Sequence, residues 1–599
     1  MALFKKNRSF HQELVLHRWM MGFFKNGSLK SLKDALGEDR YEGIDSEGQT
    51  LFYYQLARNV FNPERITELE LRRYDIHVAQ HWKEITERRN LREGHVLQMK
   101  YFQYLSLLFT EIYLDWYFNH RQSLLDGLNA ELAEYGKEKG ADNFQAYEAD
   151  DLNKIAFWNA TGSGKTLLLH VNIRQYLHYF QNGKPDHYPS KIILLTPNEG
   201  LSHQHLEELH LSGFSFAQLF NKSQKPTAGT VEIIDINKLG DEMGDKTVAV
   251  EAFEGNNLVL VDEGHRGTGM AAGAWMSRRE ALVRGGFAFE YSATFGQAVA
   301  KGLTVVQAEE DLQKKRAKLL FETGSLKKLN EEQLAQLSLS SEEKRRARVT
   351  ATREIYAKCI LFDYSYKFFY EDGYGKESLI LNLANDDDVM LRRLYFTACL
   401  LSFYQQLWLW NTHRDKLADF NIEKPLWVFV GNKVADDDSD ILTVIQFLAE
   451  FLNDEAQAKS WIADLVADKA LLLDAKGRNI FERRFLPLMH CDVDSIYADI
   501  LKRLFNSDAR QRLKLTNIKN SKGELALRVG GFEPFGLINI GDDSGFFKLC
   551  ETQTSFDNET DDFGGALFNT INRAGSKLNV LAGQPHQKSF TINDLKKVL

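Results

Sequence analysis

Proline is scarce in this chain, with nine in 599 residues where ordinary usage near 5% would place about thirty. Long proline-rich linkers, collagen-like tracts and polyproline ligands are thereby excluded, and connections between domains are expected to be short or helical. Cysteine is scarcer still. Cys359, Cys399, Cys491 and Cys550 lie far apart with no C-x-x-C pair, so they offer neither a disulfide framework nor a zinc site and fit a reducing compartment. No apolar run approaches the ~18–20 residues that span a bilayer. The opening MALFKKNRSFHQELVLHRW lacks the apolar stretch of a signal peptide, so the expectation is a cytoplasmic chain with no membrane partner. An excess of positive charge is missing as well. The balance is 74 basic against 83 acidic residues, a net of −9, which excludes a polybasic nucleic-acid binder but not a protein carrying a local basic track.

What is present is ordinary globular composition, 44% hydrophobic and 26% charged, in a chain long enough for roughly four domains. Residues 1–95 mix aromatics with dense charge at three-to-four spacing and predict a helical N-terminal region. The run Tyr101–Phe118 predicts a buried helix. From there the texture changes to short apolar runs alternating with helical stretches: KIAFWN, KIILLTP, VEIIDI, NLVLVDE and FAFEYSAT. Each is followed by a glycine or polar turn, as βαβ units of a parallel sheet require. Residues 96–302 are therefore expected to form a first α/β lobe. Residues 303–420 are expected to be a helical insertion and connector, its charge-rich face read as solvated. KPLWVFVGN, from Lys424, opens a second α/β region over 421–599. The fold class expected is α/β.

Three motifs carry chemistry. The first is Asn159-Ala-Thr161-Gly162-Ser163-Gly164-Lys165-Thr166, between an apolar run and a helical one. A strand, a glycine turn and a helix start together aim backbone N–H groups at a polyphosphate. Lys165 is then expected to reach the β- and γ-phosphates of ATP and Thr166 to bind Mg²⁺. The general pattern asks for glycine where Asn159 stands. The second motif is Asp262-Glu263-Gly-His265, closing the apolar run from Leu258. A carboxylate at the end of a buried strand is where the Mg²⁺ partner of such a loop belongs, and Glu263 is placed to polarise the attacking water. The third is Ser292-Ala-Thr294, again ending an apolar run, whose hydroxyls can bond to the carboxylate-bearing strand and report the nucleotide state. The 16 histidines show no metal-ligand spacing, His203 and His205 pointing in different directions on a helix.

ATGSGKT, DEGH and SAT in this order resemble the superfamily 2 DExH helicases and translocases. KYFQYLSLLFTEIYLD, DEGHRG, EYSATFGQA and FDYSYKFFYEDGYGK narrow the resemblance to the motor subunit of type III restriction enzymes and related bacterial defence helicases, over roughly residues 70–583. The resemblance implies two RecA-like lobes, the second one incomplete. It makes Gln103 the reader of the adenine edge, although Gln103 also fits a satisfied buried amide. Thr196, Pro197 and Asn198, and Lys238 within IDINKL, become contacts to nucleic-acid phosphates independent of sequence, although Thr196 also fits an ordinary turn before proline. His265 would couple hydrolysis to strand movement, and VFVGNK, Val428–Lys433, would open the second lobe.

The resemblance breaks near the end. INRAGSKLNVLAG, from Ile571 to Gly583, matches the approach to a further family motif, after which the text departs. No Q-x-x-G-R-x-x-R string, the source of the arginine finger, occurs in the chain. The expectations left open are a truncated motor, a split one completed by a separate piece, or one receiving its arginine from a partner chain or protomer. No nuclease signature is found, so a nuclease or methyltransferase would have to be a partner. The function expected is an ATP-dependent DNA translocase or helicase in restriction or antiphage defence; the alternative is a nucleotide-gated DNA-binding or regulatory subunit with little ATPase activity.

Overall fold

The computed structural model describes residues 9–539 and 569–571, except 26, 59, 139–143, 222–226, 241–247, 250–252, 254, 264–280, 303–305, 324, 376–378, 386, 419–421, 423, 430–439 and 519–523. The chain divides into two compact units, Met1–Glu377 and Ser378–Leu599.

The first unit begins with helices α1 (Val15–Met21), α2 (Leu29–Leu36), α3 (Leu51–Ala57) and α4 (Glu68–Glu93). α4 starts where Thr67 and Glu70 close a reciprocal capping box, and it stops at Gly94, which takes the left-handed conformation at φ 73°. Leu71, Tyr74, Val78, Trp82 and Ile85 fall on its buried stripe. Helix α5 (Tyr101–Asn119) has no such stripe. Every residue from Tyr101 to Asp115 is buried, the pattern of a helix enclosed on all sides. Helices α1 to α5 share one hydrophobic core with the sheet that follows, so residues 9–95 are packed into the first unit rather than set apart from it.

That sheet has the order β3-β4-β2-β7-β8-β1-β9 and is parallel throughout. Its strands are β1 (Lys154–Asn159), β2 (Ile192–Thr196), β3 (Gln218–Leu219), β4 (Val231–Asp235), β7 (Leu258–Asp262), β8 (Phe287–Ser292) and β9 (Ile360–Tyr364); β5 (Leu239–Gly240) and β6 (Val248–Ala249) pair separately. After α6 (Arg121–Lys137), helices α7 (Lys165–Gln181) and α8 (Glu199–Leu211) follow β1 and β2. Continuous apolar runs are what strands covered on both faces require, and β2, β4, β8 and β9 are buried along their whole length. The register sets Asn159, Ser292, Asp262 and Thr196 at or next to the C-terminal ends of neighbouring strands. In α/β sheets that is the edge where ligands bind.

Helices Val306–Phe321, Glu331–Gln336 and Ser341–Cys359 occupy the expected helical insertion. The chain then returns to the sheet. Ile360–Tyr364, within the stretch read as helical insertion and connector, is the edge strand β9 beside β1. Its five residues give too short a run to tell strand from buried helix by pattern.

In the second unit, Val389–Thr412 is one long helix, followed by helices Asp440–Asn453, Glu455–Val466 and Val493–Leu504 around a separate core. Its described sheet has the order β12-β11-β10-β13, from β10 (Leu513–Ile518), β11 (Glu524–Val529), β12 (Gly536–Asn539) and β13 (Asn569–Ile571). The β10/β11 and β11/β12 pairs are antiparallel and β10/β13 is parallel, so this sheet is mixed rather than parallel. The strand expected at Val428–Lys433 is not seen in its described part. Val428 and Phe429 are exposed and lie outside any strand, and 430–433 lie outside the described residues. Apolar composition alone had suggested a strand, but a strand needs a neighbour to pair with. The INRAGSKLNVLAG segment is described only at Ile571.

Candidate nucleotide site

β1 delivers the chain to the glycine loop expected to bind phosphate, and the loop is built as the glycine spacing requires. Gly162 and Gly164 have φ of 90° and 87°, a region that costs other residues about 1–2 kcal/mol. Ser163 Oγ and N–H both bond to Ala160 O, at 2.8 and 3.2 Å, and Ala160 N–H donates to Tyr364 O of β9 at 2.9 Å. Helix α7 starts at Lys165 with Gly164 as its N-cap, so the positive end of the helix and its first-turn N–H groups lie at the loop. Thr161 and Gly162 are exposed on the loop's outer turn.

Gln103, in the first turn of α5, braces the loop from below. Its Nε2 donates to Ser163 O at 3.0 Å, and its Oε1 accepts from Lys100 N–H at 2.9 Å. The side chain is at the loop, with its described bonds directed to the backbone.

Lys165 Nζ lies 2.9 Å from Glu263 Oε1, both side chains mostly buried. Glu263 has φ 54°, a left-handed conformation rare outside glycine and asparagine and a form of strain concentrated at functional sites. Beside it, Asp262 Oδ2 is 3.0 Å from His205 Nε2 on α8. Ser292 Oγ accepts from Thr294 N–H at 3.0 Å. Ala293 O accepts from Trp158 Nε1 at 3.1 Å, so the described tie of this motif runs to the phosphate-loop strand β1. Tyr291, paired in register with Asp262, has its phenol pushed far up by burial and by that carboxylate. It stays neutral and donates to Asn172 Oδ1 at 2.6 Å.

Three buried polar groups on this edge lack a hydrogen-bond partner among the described residues: both atoms of the Asn159 amide, Thr294 Oγ1 and His205 Nδ1. A buried polar group without a partner costs about 1–3 kcal/mol, and such orphans mark places where a ligand or ordered water completes the set. With an ammonium, two carboxylates and a hydroxyl at the same edge, the donor set fits a magnesium–nucleotide. A hydroxyl such as that of Thr166 and a carboxylate such as that of Asp262 are the kind of oxygen donor a hard cation takes.

Residues 68–297 match the family model of the type III restriction enzyme res subunit. They form a superfamily 2 helicase-like domain. The Res-like domain spans α4 to the start of the helix Phe295–Lys301 and includes every strand of the main sheet except β9. No curated relative matches the chain.

The residues expected at nucleic acid also sit on this edge. Thr196 ends β2 and Lys238 follows β4, its neighbour. Thr196 is buried, however, and its hydroxyl shares a hydrogen with Ser202 Oγ at 2.6 Å. Asn198 caps α8, its Oδ1 accepting from Leu201 N–H at 2.9 Å. Lys238 is half-buried, its Nζ 3.6 Å from Glu199. His265 lies outside the described residues. Sequence reasoning missed His205 and the orphaned Asn159. Asn159 carried a signal, as the departure from glycine at its position; His205 carried none, since its partner is 57 residues away.

Proposed function

We propose that this protein is a nucleic-acid-stimulated ATPase, translocating on DNA or unwinding it in a restriction or antiphage system. The observation that carries the reading is the Lys165–Glu263 pair at 2.9 Å beside Asp262, at the strand ends that follow the phosphate loop. Binding of the γ-phosphate would draw the Lys165 ammonium from Glu263. The Glu263 carboxylate then orients and polarises water, whose oxygen attacks the γ-phosphorus as the bond to the bridging oxygen breaks; ADP departs, and the water's proton passes by way of the carboxylate to the phosphate released. Thr166 and Asp262 would hold Mg²⁺, which when bound neutralises charge on the β- and γ-phosphate oxygens. Gln103 holds the loop in shape and is the adenine-side residue of this reading.

Phosphate release measured with and without DNA and RNA tests the proposal. Hydrolysis is expected to rise with DNA. Glu263→Gln, which leaves the size of the group but not its basicity, is expected to lower kcat about 10²–10⁴-fold, and Lys165→Ala to abolish nucleotide-dependent turnover. Indifference to both substitutions overturns the assignment. A second reading, a nucleotide-gated subunit with little turnover, is favoured by the lack of a Q-x-x-G-R-x-x-R string in the sequence. It predicts tight nucleotide binding without measurable DNA-stimulated release, and restoration of hydrolysis by a second polypeptide that supplies an arginine.

A further inference from the structure

Asp262 is held from the side by a residue that belongs to none of the sequence motifs. His205 lies on α8, is only 4% exposed, and places Nε2 3.0 Å from Asp262 Oδ2. An ionised carboxylate can only accept, so Nε2 carries the hydrogen of this bond. Nδ1 is buried, with no hydrogen-bond partner among the described residues. The described hydrogen bond of this ring goes to the carboxylate.

The way α8 is fixed explains why the ring can be so placed. Asn198 caps the helix and Thr196 bonds to Ser202, so its first turn is tied to the end of β2. Ser202 and His205 are three residues apart and share a helix face, both buried. β2 pairs directly with β7, and the face that meets Thr196 at the end of one strand therefore meets Asp262 at the end of the next.

We propose that His205 is the positioning residue for the magnesium carboxylate: its Nε2–H holds Asp262 in one orientation, so that the ion meets an already ordered ligand. This rests on the nucleotide-site reading above. Outer-shell partners of metal-binding carboxylates contribute about 10–100-fold in metal affinity, and the contribution here is to the Mg²⁺-dependent part of nucleotide binding.

The test uses the full-length protein and a fluorescent ATP analogue, titrated with Mg²⁺ from an EDTA baseline, with thermal unfolding measured in parallel. His205→Ala is expected to raise the half-saturating Mg²⁺ concentration about tenfold while leaving the EDTA baseline unchanged. His205→Gln, whose amide nitrogen donates from nearly the reach of Nε2, is expected to remain close to wild type. An unshifted Mg²⁺ midpoint in His205→Ala overturns the proposal. So does a His205→Gln variant impaired as much as His205→Ala, which would mean that the ring matters only for packing. If the wild-type protein shows no Mg²⁺-dependent binding at all, the nucleotide-site reading fails and takes this proposal with it. A normal wild-type titration with unshifted variants removes the role of His205 alone.

Discussion

Gly164 shows how much a single residue carries in this site. Its φ of 87° and the closeness of the Gln103 amide to where a Cβ would stand leave no room for a side chain. Gly164→Ala must take up left-handed strain of about 1–2 kcal/mol and push Gln103 off Ser163. The expected outcome is a corresponding loss of stability in urea titration, together with weakened binding of a fluorescent nucleotide. Asp75 on α4 is a different case. Burial pushes its carboxyl up to about 6, opposed by hydrogen bonds from Thr50 and Tyr104. The folded protein therefore keeps a proton that the unfolded chain releases near the ordinary value. The stabilisation this gives is complete below about pH 4 and is lost as pH rises through about 6. Urea unfolding between pH 4 and 7 should show that decline, at most about 3 kcal/mol from this group, and Asp75→Asn should flatten it.

At the scale of elements, α8 joins two chemistries. Its N-terminal loop carries Thr196 and Asn198, read from the family resemblance as strand contacts, and its second turn carries His205. The geometry separates roles that the sequence had grouped. Asn198→Ala removes a cap and is expected to cost about 1 kcal/mol of stability. Lys238→Ala removes a half-buried cation whose pairing with the solvent-facing Glu199 is worth little. It should leave the unfolding midpoint unchanged, while weakening DNA binding and lowering the slope of its salt dependence by about one. Melting curves and binding at several salt concentrations distinguish the two. A Lys238→Ala variant that binds DNA as wild type does would remove that residue from the interface.

At the scale of the molecule, each unit has its own core: the clusters that include the main sheet lie wholly within residues 14–364, and the second cluster lies within 398–538. A unit with its own core can fold alone. Residues 1–377 expressed separately are expected to unfold cooperatively and to bind a Mg²⁺–nucleotide. A fragment that unfolds without a transition would contradict that. No described helix is long and apolar enough to cross a membrane.

Much of this was legible beforehand. The runs KIAFWN, KIILLTP, VEIIDI, NLVLVDE and FAFEYSAT all contain strands of the main sheet, because a strand buried on both faces needs an unbroken apolar run. The glycine loop between β1 and α7 was legible because its glycines set the backbone locally, at fixed spacing along the chain. β9 was not legible, since five residues after a long helix carry no period of their own; its place beside β1 comes from sheet pairing. The mixed order of the second sheet likewise depends on which strands meet. Sequence alone thus determined the local chemistry, wherever partners are close along the chain. Tertiary structure decided that Lys165 meets Glu263, that His205 meets Asp262 and that the Asn159 amide has no partner among the described residues, because these distances are set by strand order and helix packing rather than by residue spacing.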